Sequence, residues 1–208
     1  MSDSRIYLAS RSPRRRELLK QIGVNFELLL LREHPARGND VDETPLPGEA
    51  PEDFVLRIAR AKAEAGWQRA TERRLPRLMQ RLPLLAADTA VALGDSILGK
   101  PDGAEHAAQM LHSLSGRAHR VLTAVAAVYD DQIELRLSAS GVHFAPMSEA
   151  EIRRYVASGE PLDKAGAYAI QGRAAAFVTH IEGSYSGVMG LPLYETAELL
   201  RRFGCEVP

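Results

Sequence analysis

The feature that most constrains this chain is a change of hydrophobic period close to its start. Arg5-Ile6-Tyr7-Leu8-Ala9 is short and apolar, as a buried strand is, and almost at once Ser12-Pro13 opens a stretch in which Leu18, Leu19 and Ile22 recur at helical spacing. Ser is a good N-cap because its hydroxyl accepts a bond from a helix amide that has no other partner. Pro suits the first helical position, where no amide hydrogen is needed. Gly23 is placed to stop the helix. A strand that feeds straight into a helix, repeated along the chain, predicts an α/β fold with a mixed sheet.

The repetition is there. Phe26–Leu31 reads as a buried strand, and Arg32–Pro51, with three further prolines and two glycines, reads as a long loop. Pro51-Glu52-Asp53 starts a helix carrying Val55, Ile58, Ala59 and Lys62 at helical spacing. Arg69, Arg73, Arg74, Arg77 and Arg81 form a basic stretch, read as a solvated helix face or loop. Leu84–Ala87 reads as a small apolar strand that ends at Asp88, followed by a hairpin turning at Gly94-Asp95. Asp102 and Glu105 have the spacing of a capping box before a helix with Ala107, Met110, Leu111 and Leu114. Val121–Tyr129 and Ile133–Phe144 read as strands joined at Asp130-Asp131-Gln132. Ser148 and Glu151 cap the next helix, Ala175–Ile181 reads as a strand, and Pro192 to Gly204 bounds a last helix. There is no internal repeat, and 208 residues suffice for one domain with a buried core.

Composition excludes several classes. A net charge of −1 gives no global field toward nucleic acid or anionic lipid. No run approaches the ~18 apolar residues that a membrane helix needs. The start MSDSRIYLAS carries an early acid and no long apolar region, so the expectation is a cytoplasmic protein. The one cysteine, Cys205, forms no internal disulfide and speaks against a cysteine-based zinc site. His106, His112 and His119 fit no zinc spacing on one helix face. Of 26 basic residues only Lys20, Lys62, Lys100 and Lys164 are lysines, which makes each of them more informative.

Four clusters carry the candidate chemistry. Ser10-Arg11-Ser12-Pro13-Arg14-Arg15-Arg16 surrounds a helix N-terminus with serines and guanidinium groups, a combination suited to phosphate. Asp88-Thr89 sets a carboxylate beside an apolar strand, where it can ligate Mg²⁺ or orient a water. Gly99-Lys100-Pro101 fixes a cation next to a tight turn. Asp163-Lys164-Ala165-Gly166 through Gln171-Gly172 mixes acid, base and an amide able to read a nucleobase edge. Together they predict a polyphosphate site with a divalent metal.

The blocks Leu8-Ala9-Ser10, Ser12-Pro13-Arg14-Arg15, Val41-Asp42-Glu43-Thr44, Arg57–Ala63, Ala87-Asp88-Thr89, Ile97–Pro101, Leu114–Arg117, Gly159–Gly166, Ile170-Gln171-Gly172 and Val188–Leu193 resemble, in order, the motifs of the Maf family of nucleoside triphosphate pyrophosphatases. The resemblance spans nearly the whole chain, so residues 1–208 are expected to form one Maf-like domain. It implies an elongated mixed sheet with flanking helices and two lobes around a cleft, like the inosine-triphosphate pyrophosphatases. It implies cleavage of a nucleoside triphosphate to the monophosphate and pyrophosphate with Mg²⁺ or Mn²⁺.

By the same resemblance Asp88 is the proton acceptor, and Arg14, Thr89 and Gln171 set base choice. Asp88 and Glu43 are the expected metal ligands. Ser10, Ser12, Arg15, Lys62 and Lys100 are the expected phosphate contacts, with Asp163 and Lys164 elsewhere in the cleft. Arg14, Thr89 and Gln171 match the dTTP/UTP type, and the neutral amide of Gln171 suits an uncharged pyrimidine edge. The alternatives are a 7-methyl-GTP pyrophosphatase of the same family and a non-catalytic nucleotide-binding regulator of cell division. A homodimer is the expectation by family analogy, and no nucleic-acid or membrane partner is expected. Ala169 stands where glycine is common in the family, and Gly187 where asparagine is.

Overall fold

The computed structural model describes residues 5–32, 38–72 and 82–208. Its elements are β1 (Arg5–Leu8), α1 (Pro13–Gln21), β2 (Asn25–Leu28), α2 (Pro51–Glu72), β3 (Leu84–Leu93), β4 (Ser96–Leu98), α3 (Ala104–Leu114), β5 (Ala118–Tyr129), β6 (Gln132–Phe144), α4 (Glu149–Ala157), β7 (Val178–Glu182), α5 (Tyr185–Val188) and α6 (Leu193–Arg202). One seven-stranded sheet runs β2-β1-β3-β5-β6-β7, with β4 attached to β3. β1 is parallel to β2 and β3, and the other pairings are antiparallel, so the sheet is mixed as expected.

β3 runs through the middle of the sheet, between β1 and β5. Its side chains alternate between faces, as any strand's must. Leu84, Ala86, Ala90 and Ala92 pack with Val55, Ile58 and Ala59 of α2. Leu85, Ala87 and Val91 pack with Leu18 and Leu19 of α1, Leu111 and Leu114 of α3, and Leu199 of α6. The sheet therefore carries a core on each face, and small residues along β3 let helices approach both.

The two edges of β3 differ. On one side β5 pairs with it from Leu84 to Ala92. On the other side β1 reaches only to Leu8 opposite Leu85, with one more bond from Ala9 N–H to Leu85 O. β4 pairs with β3 only from Val91, which lies opposite Leu98. Among the described residues no strand covers that edge of β3 between these points. The gap has a sequence cause. β1 stops because the chain turns at Ser10-Arg11-Ser12, where Ser12 Oγ caps α1 by accepting from Arg15 N–H.

Several expectations change. Asp88 does not end a strand: β3 continues through it to Leu93, because β5 keeps pairing after β1 has left. Phe26–Leu31 is not a buried strand. β2 ends at Leu28, lies at the sheet edge and is largely accessible, with Leu28 and Leu30 exposed while Leu29 and Leu31 turn inward. The Asp102–Glu105 capping box does not form. Gly103 occupies the N-cap, and the Asp102 carboxylate pairs with His106 at 3.0 Å instead. The strand expected over Ala175–Ile181 starts only at Val178, after a 3-10 turn. The Ser148–Glu151 capping box is present as expected. α2 carries the beginning of the basic stretch to Glu72, and Arg73 to Arg81 lies outside the described residues. Among the described residues no helix is long and apolar enough to cross a membrane.

Candidate active site

The gap beside β3 opens into a cleft of about 770 Å³. Because β3 alternates, Asp88 and Thr89 enter this region from opposite faces of the sheet. Asp88 stands on the α2 side. Lys62 of α2 donates through Nζ to Asp88 Oδ1 at 2.8 Å and pairs with Glu43 Oε1 at 2.9 Å. One ammonium thus bridges two carboxylates that are 45 residues apart in sequence (88 − 43). Asp88 is 7% exposed, and burial pushes its carboxyl above the usual range against the pull of Lys62 and Arg15. Glu43, at the mouth, is exposed.

Thr89 stands on the other side, in a closed hydrogen-bond chain. Arg15 of α1 donates from Nε to Gly190 O at 2.7 Å, from Nη1 to Ala87 O at 2.8 Å and Ser10 Oγ at 3.3 Å, and from Nη2 to Thr89 Oγ1 at 3.1 Å. Thr89 Oγ1 lies 3.0 Å from Thr123 Oγ1, which donates to Gly187 O at 2.8 Å. The bond to Ala87 O replaces, at the gap, a ladder bond that β1 would have made. Burial lowers the Arg15 guanidinium from its ordinary value, with Asp88 and Glu43 acting against that.

The far rim is set by close backbone approach. Gly166 N–H donates to Gly99 O at 3.0 Å, which puts the Lys100 and Lys164 segments side by side. Gly166 has φ +66, and a Cβ there would meet Val91 at 2.8 Å, so the position requires glycine. Lys164 pairs with Asp163, and Tyr168, Ala169 and Ile170 continue the wall.

The family model described as "Maf-like protein" matches residues 5–203. The chain belongs to the Maf family. Among curated members, a protein of Nitrosomonas europaea is 58% identical over 202 residues, covering 97% of this chain and 96% of its own length. One of Aromatoleum aromaticum is 58% identical over 202 residues, with the same coverage of 97% and 96%. One of Chromobacterium violaceum is 51% identical over 207 residues, covering 100% of this chain and 98% of its own. All three are named dTTP/UTP pyrophosphatase.

In this Maf chain the cleft lining brings together Ser10, Ser12, Arg14, Arg15, Glu43 and Lys62 from the first half, and Asp88, Thr89, Lys100, Asp163 and Lys164 from the rest. Gln171 is the exception: it is exposed and does not line the cleft, although Ala169 and Ile170 just before it do. Sequence reasoning missed Thr123. Its signal was a lone threonine inside the apolar run Val121–Tyr129, a residue the structure buries completely. It also missed that Arg15 spends every guanidinium nitrogen on the protein itself.

Proposed function

We propose that this chain hydrolyses dTTP and UTP to the nucleoside monophosphate and pyrophosphate. The observation that carries the reading is identity of 51–58%, over nearly the full length, to proteins named for that activity. The cleft supports it with a buried carboxylate, Asp88, beside a set of cations.

The donor set suits a divalent cation. Asp88 and Glu43 converge on one ammonium, Lys62 Nζ, at 2.8 and 2.9 Å, so a cation already satisfies both carboxylates. Among the described residues no group of three or more His, Cys, Asp or Glu forms a protein cage. Two carboxylates without a cage match Mg²⁺, which keeps several waters and takes substrate phosphate oxygens as ligands. Asp88 and Glu43 would hold it, and when bound it supplies charge neutralisation and acidifies water.

The chain's own groups do the rest. Arg14, Lys62 and Lys100 offset the charge on the triphosphate, with Lys164 beside them. Ser10 Oγ accepts from Ser12 N–H and from Arg15 Nη1, which leaves its proton to donate to a phosphate oxygen. Arg15 contributes fixed charge behind Thr89 more than a free contact. With Oδ1 held by Lys62, Asp88 takes a proton from the attacking water on Oδ2. Its raised pKa brings it closer to working pH, where a general base is most effective. The water oxygen bonds to the α-phosphorus, the bond to the bridging oxygen breaks, and pyrophosphate leaves with its charge held by the cations. Base choice falls to Arg14 and Thr89, which line the cleft, and to Gln171, exposed immediately after the wall residue Ile170. The working enzyme is a cytoplasmic homodimer.

The test is a pyrophosphate-release assay with Mg²⁺ or Mn²⁺ over UTP, dTTP, CTP, 7-methyl-GTP, ITP and ATP. Release from UTP and dTTP, lost in Asp88→Asn, supports the reading. Preference for 7-methyl-GTP breaks the base assignment, and no release from any nucleotide overturns the activity.

A further inference from the structure

Two side chains behind the cleft tie down the segment that forms its far wall. Tyr155 comes from α4, and Glu160 from the 3-10 turn Glu160–Asp163 that follows it. Tyr155 Oη donates to Glu160 Oε1 at 2.8 Å and accepts from Ala169 N–H at 3.2 Å. Glu160 Oε2 accepts from Arg173 N–H at 3.1 Å. One Tyr–Glu pair therefore holds both ends of residues 169–173, and Gln171 stands midway between them. Gly172 N–H closes the turn onto Ala169 O at 2.9 Å. A Cβ at Gly172 would lie 2.2 Å from Glu160 Oε1, so the carboxylate reaches the backbone only because this position is glycine.

The pair is rigidly seated. Tyr155 is 4% exposed, its ring meets Phe177 edge-on with centroids 5.8 Å apart, and burial with the Glu160 carboxylate keeps the phenol protonated. Neither Tyr155 nor Glu160 lines the cleft, but Tyr168, Ala169 and Ile170 of the clamped segment do. Tyr168 and Ile170 share one apolar core face with Val91 and Val121, whereas Lys62 and Asp88 stand on the α2 face of the sheet. An apolar wall suits a base, and the charged region around Lys62 suits the phosphates.

Resting on the pyrophosphatase reading above, we propose that Tyr155 and Glu160 are positioning residues for nucleobase selection. They fix the 168–170 wall against which the base is read, and they touch neither the phosphates nor the reacting atoms. Their loss costs recognition of the preferred base and leaves the chemical step alone.

The experiment compares wild type, Glu160→Gln and Tyr155→Phe as full chains, with steady-state pyrophosphate release from UTP, dTTP, CTP and ATP. Tyr155→Phe keeps the ring on Phe177 and removes only the hydroxyl, so it decides the matter if Glu160→Gln does not fold. We expect KM for UTP and dTTP to rise about tenfold, the equivalent of one hydrogen bond, with kcat within about threefold. The UTP-to-ATP selectivity falls by about the same tenfold factor, because ATP gains nothing from the wall. Added to Gln171→Ala, either change costs no further selectivity, since both act through one segment. A uniform loss over all four nucleotides, a loss in kcat alone, or unchanged selectivity in both variants would overturn the proposal. Wild type releasing no pyrophosphate from any nucleotide would overturn the parent reading, and this one with it.

Discussion

Asp88 and Thr89 are adjacent in sequence and enter the cleft region from opposite faces of β3, and the two faces are built on different terms. On the α2 face, a carboxylate raised by burial answers to one long side chain, Lys62, which it shares with Glu43 at the exposed mouth. On the other face, Thr89 belongs to a chain from Arg15 through Thr123 to Gly187 O in which each hydroxyl has a partner. The first face holds charges that can exchange partners when a ligand arrives. On the second, one guanidinium is held by two carbonyls and two hydroxyls, and its hydrogen bonds stay within the protein. A strand's two-residue period lets one short segment serve both ends, with reactivity on one face and rigidity on the other.

The largest test of that contrast is Asp88→Asn. The rate should fall by roughly 10²–10⁴ because a general base is gone. Thermal stability should hold or rise, since the fold no longer buries a carboxylate that burial disfavours. A large loss of Tm would place Asp88 in the scaffold and erase the distinction.

Arg15→Met should do the reverse. It strips donors from Ser10 Oγ, Ala87 O, Thr89 Oγ1 and Gly190 O, and should cost about 3–5 kcal/mol in denaturant unfolding. If stability held while turnover vanished, Arg15 would be a substrate contact and not a strut.

The closed face should also be the acid-sensitive one. His119 is buried on it against Tyr168 and Phe144, and burial holds its pKa down to about 4 from 6.5. The unfolded chain binds this proton more readily, so stability falls as pH drops from about 6.5 to about 4 and the penalty is constant below. The span is worth up to about 3 kcal/mol. His119→Gln should flatten that part of a Tm-versus-pH curve, and an unchanged slope would remove His119 from the account.

The smallest effect belongs to Thr123→Val. It removes a side-chain donor from Gly187 O, which keeps Gly190 N–H, and leaves Thr89 Oγ1 with Arg15 Nη2 alone, at about 1 kcal/mol, with kcat for UTP within about threefold. A tenfold drop in kcat would bring the Thr89 face into the chemistry and break the comparison.

Much of this was legible in the chain. The Ser12-Pro13 helix start, the long antiparallel pair β5–β6 and the Ser148–Glu151 cap follow from local chemistry, and the structure has each of them. The candidate residues from Ser10 to Lys164 could be named because charged and small residues interrupt apolar runs at these points. Other features were illegible for a physical reason. Asp88-Thr89 looks like a strand end because two polar residues follow an apolar run. Only pairing with β5, more than thirty residues on, keeps the backbone extended there. Thr123 gains its hydroxyl partner only across the β3–β5 pair, which nothing local to its own strand specifies.

The sequence by itself determined the α/β class, most of the element starts and the kinds of groups available, because capping, turn chemistry and hydrophobic period act within a few residues. The tertiary structure decided where β1 abandons β3, which face each of Asp88 and Thr89 takes, and that Lys62 holds both Glu43 and Asp88. It also turned Arg15 inward and left Gln171 outside the cleft wall. Those outcomes depend on contacts between distant segments, whose energies are settled only when the two cores pack on the sheet together.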